Sequence, residues 1–233
     1  MPSAPTRYPR APLYFSLLLL LAVAGFYPSY FGRLRSADAV HHAHGIAATL
    51  WMLLLIAQSW LIGRSRRRAH RILGWSSLIL VAFFLLSGLG VIHAMVASAG
   101  PFSARYGARL AFVDLVSLIF FAGAYGLALA RRKDAALHMR LMASTAPLLI
   151  PPALSRLLAN TLPAIHTFET AFQLSFLAAE LVALALILDD RRQGRVRAPY
   201  PALLAALVLE HAGFFLVAAW PAWGQLMARA FHG

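Results

Sequence analysis

The sequence predicts an all-α integral membrane bundle of seven transmembrane helices, N-terminus cytoplasmic and C-terminus outside. Three observations predict it. Of the 233 residues, 61% are hydrophobic and only 12% charged, with a mean hydropathy of +0.70; no charged shell could cover so much apolar side chain in water. Apolar runs of the length that crosses a hydrocarbon core, about 20 helical residues, recur along the chain. Short arginine clusters separate alternate runs, as they do at the cytoplasmic ends of membrane helices.

Residues 1–12, with Arg7 and Arg10, read as a cytoplasmic tail, and Leu13–Phe31 as the first span. Arginines, an apolar run and Ala22-Val23-Ala24 have the form of a cleavable signal peptide. The run continues through Phe26 and Tyr27, so the segment is read as an uncleaved anchor. Further spans follow at about Ala39–Ile62, His70–Ala97, Ala104–Ala130, Ala135–Leu158, Ile165–Leu188 and Tyr200–Trp223. The transmembrane domain is thus 13–223, with 224–233 a short outer tail. Tyr27, Tyr30, Trp60, Trp75, Tyr106, Tyr200, Trp220 and Trp223 fall near span ends, where an aromatic belt sits.

Fifteen of the 21 basic residues lie in the N-terminal tail, Arg64–Arg71, Arg131–Arg140 and Arg191–Arg197, which share one side under this topology. The other six are Arg33, Arg35, Arg105, Arg109, Arg156 and Arg229. That bias sets the orientation. The formal charge of +13 is therefore topology signalling, and its partner is the anionic surface of a lipid bilayer rather than nucleic acid. Cysteine is absent, which excludes disulfides and thiolate metal sites.

The fifth span carries Pro147, Pro151 and Pro152, so a kink or break is expected there. Broken membrane helices often line binding sites. A helix–basic turn–helix pattern recurs around Arg64–Arg71, Arg131–Arg140 and Arg191–Arg197, and positive-inside topology alone also produces it.

Histidines offer the clearest chemistry. His41, His42 and His44 open the second span, and His93 lies near the same face in the third. His70 and His138 open the third and fifth spans at the opposite face. Two histidines at matched depth on different helices suit bis-imidazole haem ligation. His44 with His93, and His70 with His138, are the candidate pairs. His41, His42 and His44 could instead hold a zinc or copper ion. Interfacial histidines with no ligand at all are the competing reading, strongest for His70 and His138 among their arginines.

Ionisable groups deep in a bilayer cost a few kcal/mol each and mark sites or ion pairs. Asp114, Glu210 and His211 fall near the midplane, Glu180 lower, and Arg156 towards the outer end of the fifth span. Asp114, then Glu169, is the expected partner of Arg156. These groups read as a proton path, as the polar wall of a cavity, or as structural pairs. Gln58, Asn160 and Gln173 could add hydrogen bonds.

The segments HHAHG, RRRAHRILGW and HMRLM, over roughly Val40–Leu158, resemble a group of bacterial multi-pass inner-membrane proteins with no assigned function. That resemblance implies a fold and a bacterial-type inner-membrane location, and no activity. A second resemblance is to transmembrane diheme b-type cytochromes, which take histidines from alternate helices of four. It implies haem b and electron transfer with a quinone or another redox partner. His70 with His138 follows that pattern; the fourth span, with Asp114 and no histidine, departs from it. Seven-helix zinc hydrolases of lipid amides also resemble the chain in helix number. They carry two histidines one turn apart on the last helix, whereas His211 is flanked by Leu207 and Phe215. The expected functions are therefore a b-type haem protein or a transporter or small-molecule-binding membrane protein, and less so a metal-dependent hydrolase.

Overall fold

The computed structural model describes residues 9–231; most of the tail 1–12 and the last two residues lie outside them. The described residues are helical with no strand. In chain order the α-helices are α1 (Ala11–Phe26), α2 (Ala39–Gly63), α3 (Arg67–Ala97), α4 (Pro101–Ala130), α5 (Ala135–Ser144), α6 (Ile150–Thr161), α7 (Phe168–Arg192), α8 (Pro199–Leu216) and α9 (Pro221–Phe231). Among the described residues six segments are long and apolar enough to cross a membrane, with α5 and α6 together forming one of them. This is the architecture of a multi-pass membrane protein. The shorter α1 has 16 residues, roughly 24 Å of helix.

Local chemistry sets the helix ends. Asp38, Asp134 and Thr167 cap α2, α5 and α7 by accepting the backbone N–H groups of His41, Leu137 and Thr170. Proline opens α4 and α8, where its missing donor is not needed. Gly194, at φ 87°, takes the left-handed position that ends α7.

Sequential neighbours pack antiparallel: α1 on α2, α2 on α3, α3 on α4. The ring closes through α4–α8, α8–α7, α7–α6 and α6–α1. The fifth span is divided: α6 is a member of that ring, packed on α1 and α7, and α5 packs on α4 and α8. Half of the span's apolar window is buried, against 22–39% for the other five. The expected break lies in this span, where α5 stops at Ser144 and a 3-10 turn spans Pro147–Leu149. Pro147 cannot donate to the Ala143 carbonyl; the Ala146 N–H does so instead, at 3.2 Å. The Thr145 hydroxyl donates to Met142 O and accepts from Trp51 Nε1, which ties the break to α2.

Gly25 of α1 lies directly against the Ala153 backbone of α6, and a Cβ there would overlap the Ala153 carbonyl. Gly25→Ala is therefore expected to destabilise the fold by about 1–3 kcal/mol through overpacking, whereas Gly123→Ala, which faces open space, should be neutral in the same thermal melt.

The chain after α8 is not an irregular tail. It forms α9, which packs on α3 and α4, with Trp223 Nε1 donating to Ala108 O at 2.7 Å.

Candidate functional site

At the arginine-rich end of the bundle, α3 and α5 each present a histidine as their fourth residue. A tight turn at Arg64–Arg66, with Ser65 at φ 57°, reverses the chain from α2 into α3. The Asp134 cap sets the start of α5. The His70 and His138 rings come together, centres 6.4 Å apart and planes 81° from parallel. His138 Nδ1 lies 2.8 Å from the Ala128 carbonyl. A carbonyl only accepts, so Nδ1 carries the proton and Nε2 keeps a free lone pair.

His70 Nδ1 is buried with no partner, and so is Gln58 Oε1. The Gln58 amide donates to the His70 backbone carbonyl at 3.1 Å, which places the two side chains together. Gln58 is only 8% exposed. Unmet buried acceptors of this kind cost about 1–3 kcal/mol each, so they point to a group that completes them. The separation fits one metal centre. Nitrogens about 2.0–2.1 Å from a metal, with ring centres about 1.1 Å behind them, put two imidazoles roughly 6.3 Å apart. Around the pair, Arg66, Arg67, Arg68, Arg71, Arg131, Arg132 and Lys133 are exposed.

Asp134 couples this site to pH. Its carboxyl is held below the usual carboxylate range, first by the Leu137 N–H and then by Arg197 at 3.1 Å. A depressed folded pKa contributes stability above the unfolded value, about 3.9, and loses it as pH falls through the folded one. The hydrogen-exchange protection factor of the Leu137 amide is expected to fall below about pH 4, and Asp134→Ala should show that loss of protection at neutral pH.

The opposite end does not repeat the arrangement. His41 Nδ1 pairs with its own cap, Asp38, at 2.8 Å. His42 Nδ1 meets the Tyr30 hydroxyl at 3.2 Å. His44 Nδ1 lies 3.3 Å from Ser87 Oγ, and its ring stacks on Phe84. His93 packs on Phe231 of α9. The three N-terminal histidines of α2 are thus directed to three separate partners. His44 and His93 are not brought ring to ring. Among the described residues no group of three His, Asp or Glu forms a metal cluster.

Between the ends lies a run of polar groups. Glu210 is 1% exposed and accepts from Ser117 Oγ at 2.8 Å. Asp114 stands within electrostatic reach of Arg156 and Glu210 without a direct ion pair. Arg156 donates to Pro152 O at 2.8 Å and lies over the Phe26 ring. His211 Nδ1 and Glu180 Oε1 are 2.9 Å apart. Of the two partners expected for Arg156, Asp114 is the near one. Glu169 instead accepts from Arg105 at 3.0 Å and from the Tyr106 hydroxyl at 2.7 Å.

Two groups escaped the sequence reading. Arg140 belongs by sequence to a basic turn, yet it is 0% exposed and grips Asp190, also 0% exposed, with Nε and Nη2. It is a structural ion pair and not a surface topology mark. The sequence signal is the position of Arg140 six residues into an apolar span, about two helical turns beyond Arg131–Lys133. Gln58 was noted only as a hydrogen-bonding side chain; its place on the face of α2 opposite His70 requires the α2–α3 packing. Comparison with protein-family models, curated proteins and solved structures finds no match to this chain.

Proposed function

We propose that this chain is a membrane electron-transfer protein that holds one b-type haem between α3 and α5, where His70 and His138 would hold its iron. The observation that carries the reading is the pairing of the two rings at 6.4 Å, with His138 Nδ1 already donating to a carbonyl and His70 Nδ1 buried and unmet. A bis-histidine haem supplies a reversible one-electron step at a potential tuned by burial and hydrogen bonding.

The surrounding charge separates haem from a bare metal ion. Several exposed guanidinium groups would repel a dication, but they pair well with the two propionate carboxylates of haem b. Gln58 would orient the site, and Ala128 O holds the His138 tautomer. In this reading the arginine-rich end is cytoplasmic, and α1 is a seventh, shallower membrane helix. The location is a bacterial-type inner membrane. Asp114, Arg156, Glu210, Glu180 and His211 would serve to hold and move protons in the core.

A specific observation favours a second reading, that of a transporter or small-molecule-binding membrane protein. The fifth span is broken beside Thr145, and Arg156 beyond the break stays accessible among helices, as in proteins that bind solutes at broken helices.

The two part on one experiment. Detergent-purified full-length protein, expressed with an ample haem supply, is expected to show a reduced-minus-oxidised spectrum of low-spin b-type haem. A colourless protein under those conditions overturns the haem reading and leaves the solute-binding one.

A further inference from the structure

A groove of about 340 Å³ opens sideways between α7 and α8, away from His70 and His138. It is lined by Gln173, Leu177 and Glu180 at i, i+4 and i+7 on α7, and by Val208, His211 and Phe215 on α8. All of these lie on helices that read as membrane spans, so the groove faces hydrocarbon. Leu177 and Val208 are each 48% exposed at its mouth.

Hydrocarbon-facing polar groups need partners. Gln173 is exposed, and among the described residues none hydrogen-bonds its amide. His211 Nδ1–H donates to Glu180 Oε1 at 2.9 Å, which leaves His211 Nε2 as an acceptor that no donor among the described residues meets. The groove thus offers an amide donor from Gln173 and an imidazole acceptor from His211. Its aromatic surfaces are the His211 ring and Phe215; behind the His211 ring, in the core, Phe176 stacks on it at 5.3 Å and 26°. The volume is that of a small-ligand site, about 300–1,000 Å³.

We infer that the α7–α8 groove binds a lipid-soluble molecule with a planar head group that carries ring hydroxyls, that is, a quinol. One ring hydroxyl oxygen would accept from the Gln173 amide and the other hydroxyl would donate to His211 Nε2. The flat ring would lie against the His211 and Phe215 rings, and an apolar tail would leave through the open side into lipid. A lateral opening suits a ligand that arrives dissolved in the bilayer. This inference does not require the haem.

The test uses the full chain in lipid nanodiscs and a decyl-tailed benzoquinone, in its oxidised and reduced forms. Saturable binding of the reduced form, tighter than of the oxidised form, is expected, with an azido-benzoquinol photolabelling residues within 173–180 and 208–215. Gln173→Leu, at an exposed position, should weaken binding about five- to tenfold, the worth of one hydrogen bond. Val208→Trp fills the groove mouth and should abolish binding while elution and helix content stay unchanged. His138→Ala should bind the quinol as the wild type does, which separates this result from the fate of the haem. Absent or non-saturable binding overturns the inference, as does binding that survives Val208→Trp. Disulfide cross-linking of Val208→Cys between copies overturns it too, because the groove would then be a contact between chains.

Discussion

Asp190→Ala is expected to cost the fold about 3–5 kcal/mol, the penalty for leaving a buried charge without its partner. The abandoned group would be Arg140, which has no exposed surface and no water to turn to. Its Nη1 would keep the Ala136 carbonyl at 2.9 Å, but Nε and Nη2 would lose both carboxylate oxygens. The Arg197 backbone N–H, 3.3 Å from Asp190 Oδ2, would lose its acceptor as well. Purified Asp190→Ala should melt far below the wild type and elute partly as aggregate. The double substitution Arg140→Leu, Asp190→Leu should recover much of that loss, because apolar side chains of similar size often replace a buried pair at little cost. If Asp190→Ala melts within a degree or two of the wild type, the pair carries no structural weight. Arg140 lies two residues after His138, so the pair also anchors the helix that presents the ligand.

His138→Ala should abolish the haem signal, leaving less than about a tenth of the wild-type low-spin band, since each axial histidine supplies half of the axial ligation. The substitution removes a half-buried ring near the end of the bundle and leaves the Arg140–Asp190 pair intact, so the helical fold is expected to survive. Added imidazole should occupy the vacated space and restore part of the band, which a merely misfolded protein could not do. Gln58→Leu should keep the haem and shift its reduction potential, because it alters the surroundings of His70 and not its ligating nitrogen. His44→Ala and His93→Ala should leave the band unchanged. Their rings are engaged with Phe84 and Phe231 and do not face each other.

What could be read from the chain before folding divides by the range of the interaction. Apolar period and proline position act locally, and they located the six long apolar segments and the break at Pro147. The meeting of His70 with His138 was legible for a related reason: both open helices that start at the same end of an alternating bundle. His44 and His93 satisfy the same depth argument, yet their rings do not meet, because depth does not fix rotation about the helix axis. His44 turns to Ser87, and six residues separate Ser87 from His93, about 9 Å along α3 and some 120° around it. Arg140 misled for another reason. Composition could not show that α5, α7 and α8 enclose it, nor that Asp190 waits at the end of α7. The helical character of 221–231 was hidden because its apolar face is only a few residues wide and belongs to no span.

The most direct measurement is the number of haems per chain, by extraction and quantitation from the purified full-length protein. One haem per chain, lost in His70→Ala and in His138→Ala alike, is the predicted result. No haem, or haem retained in either variant, would contradict the assignment of the pair, and two haems per chain would contradict the separation of His44 from His93.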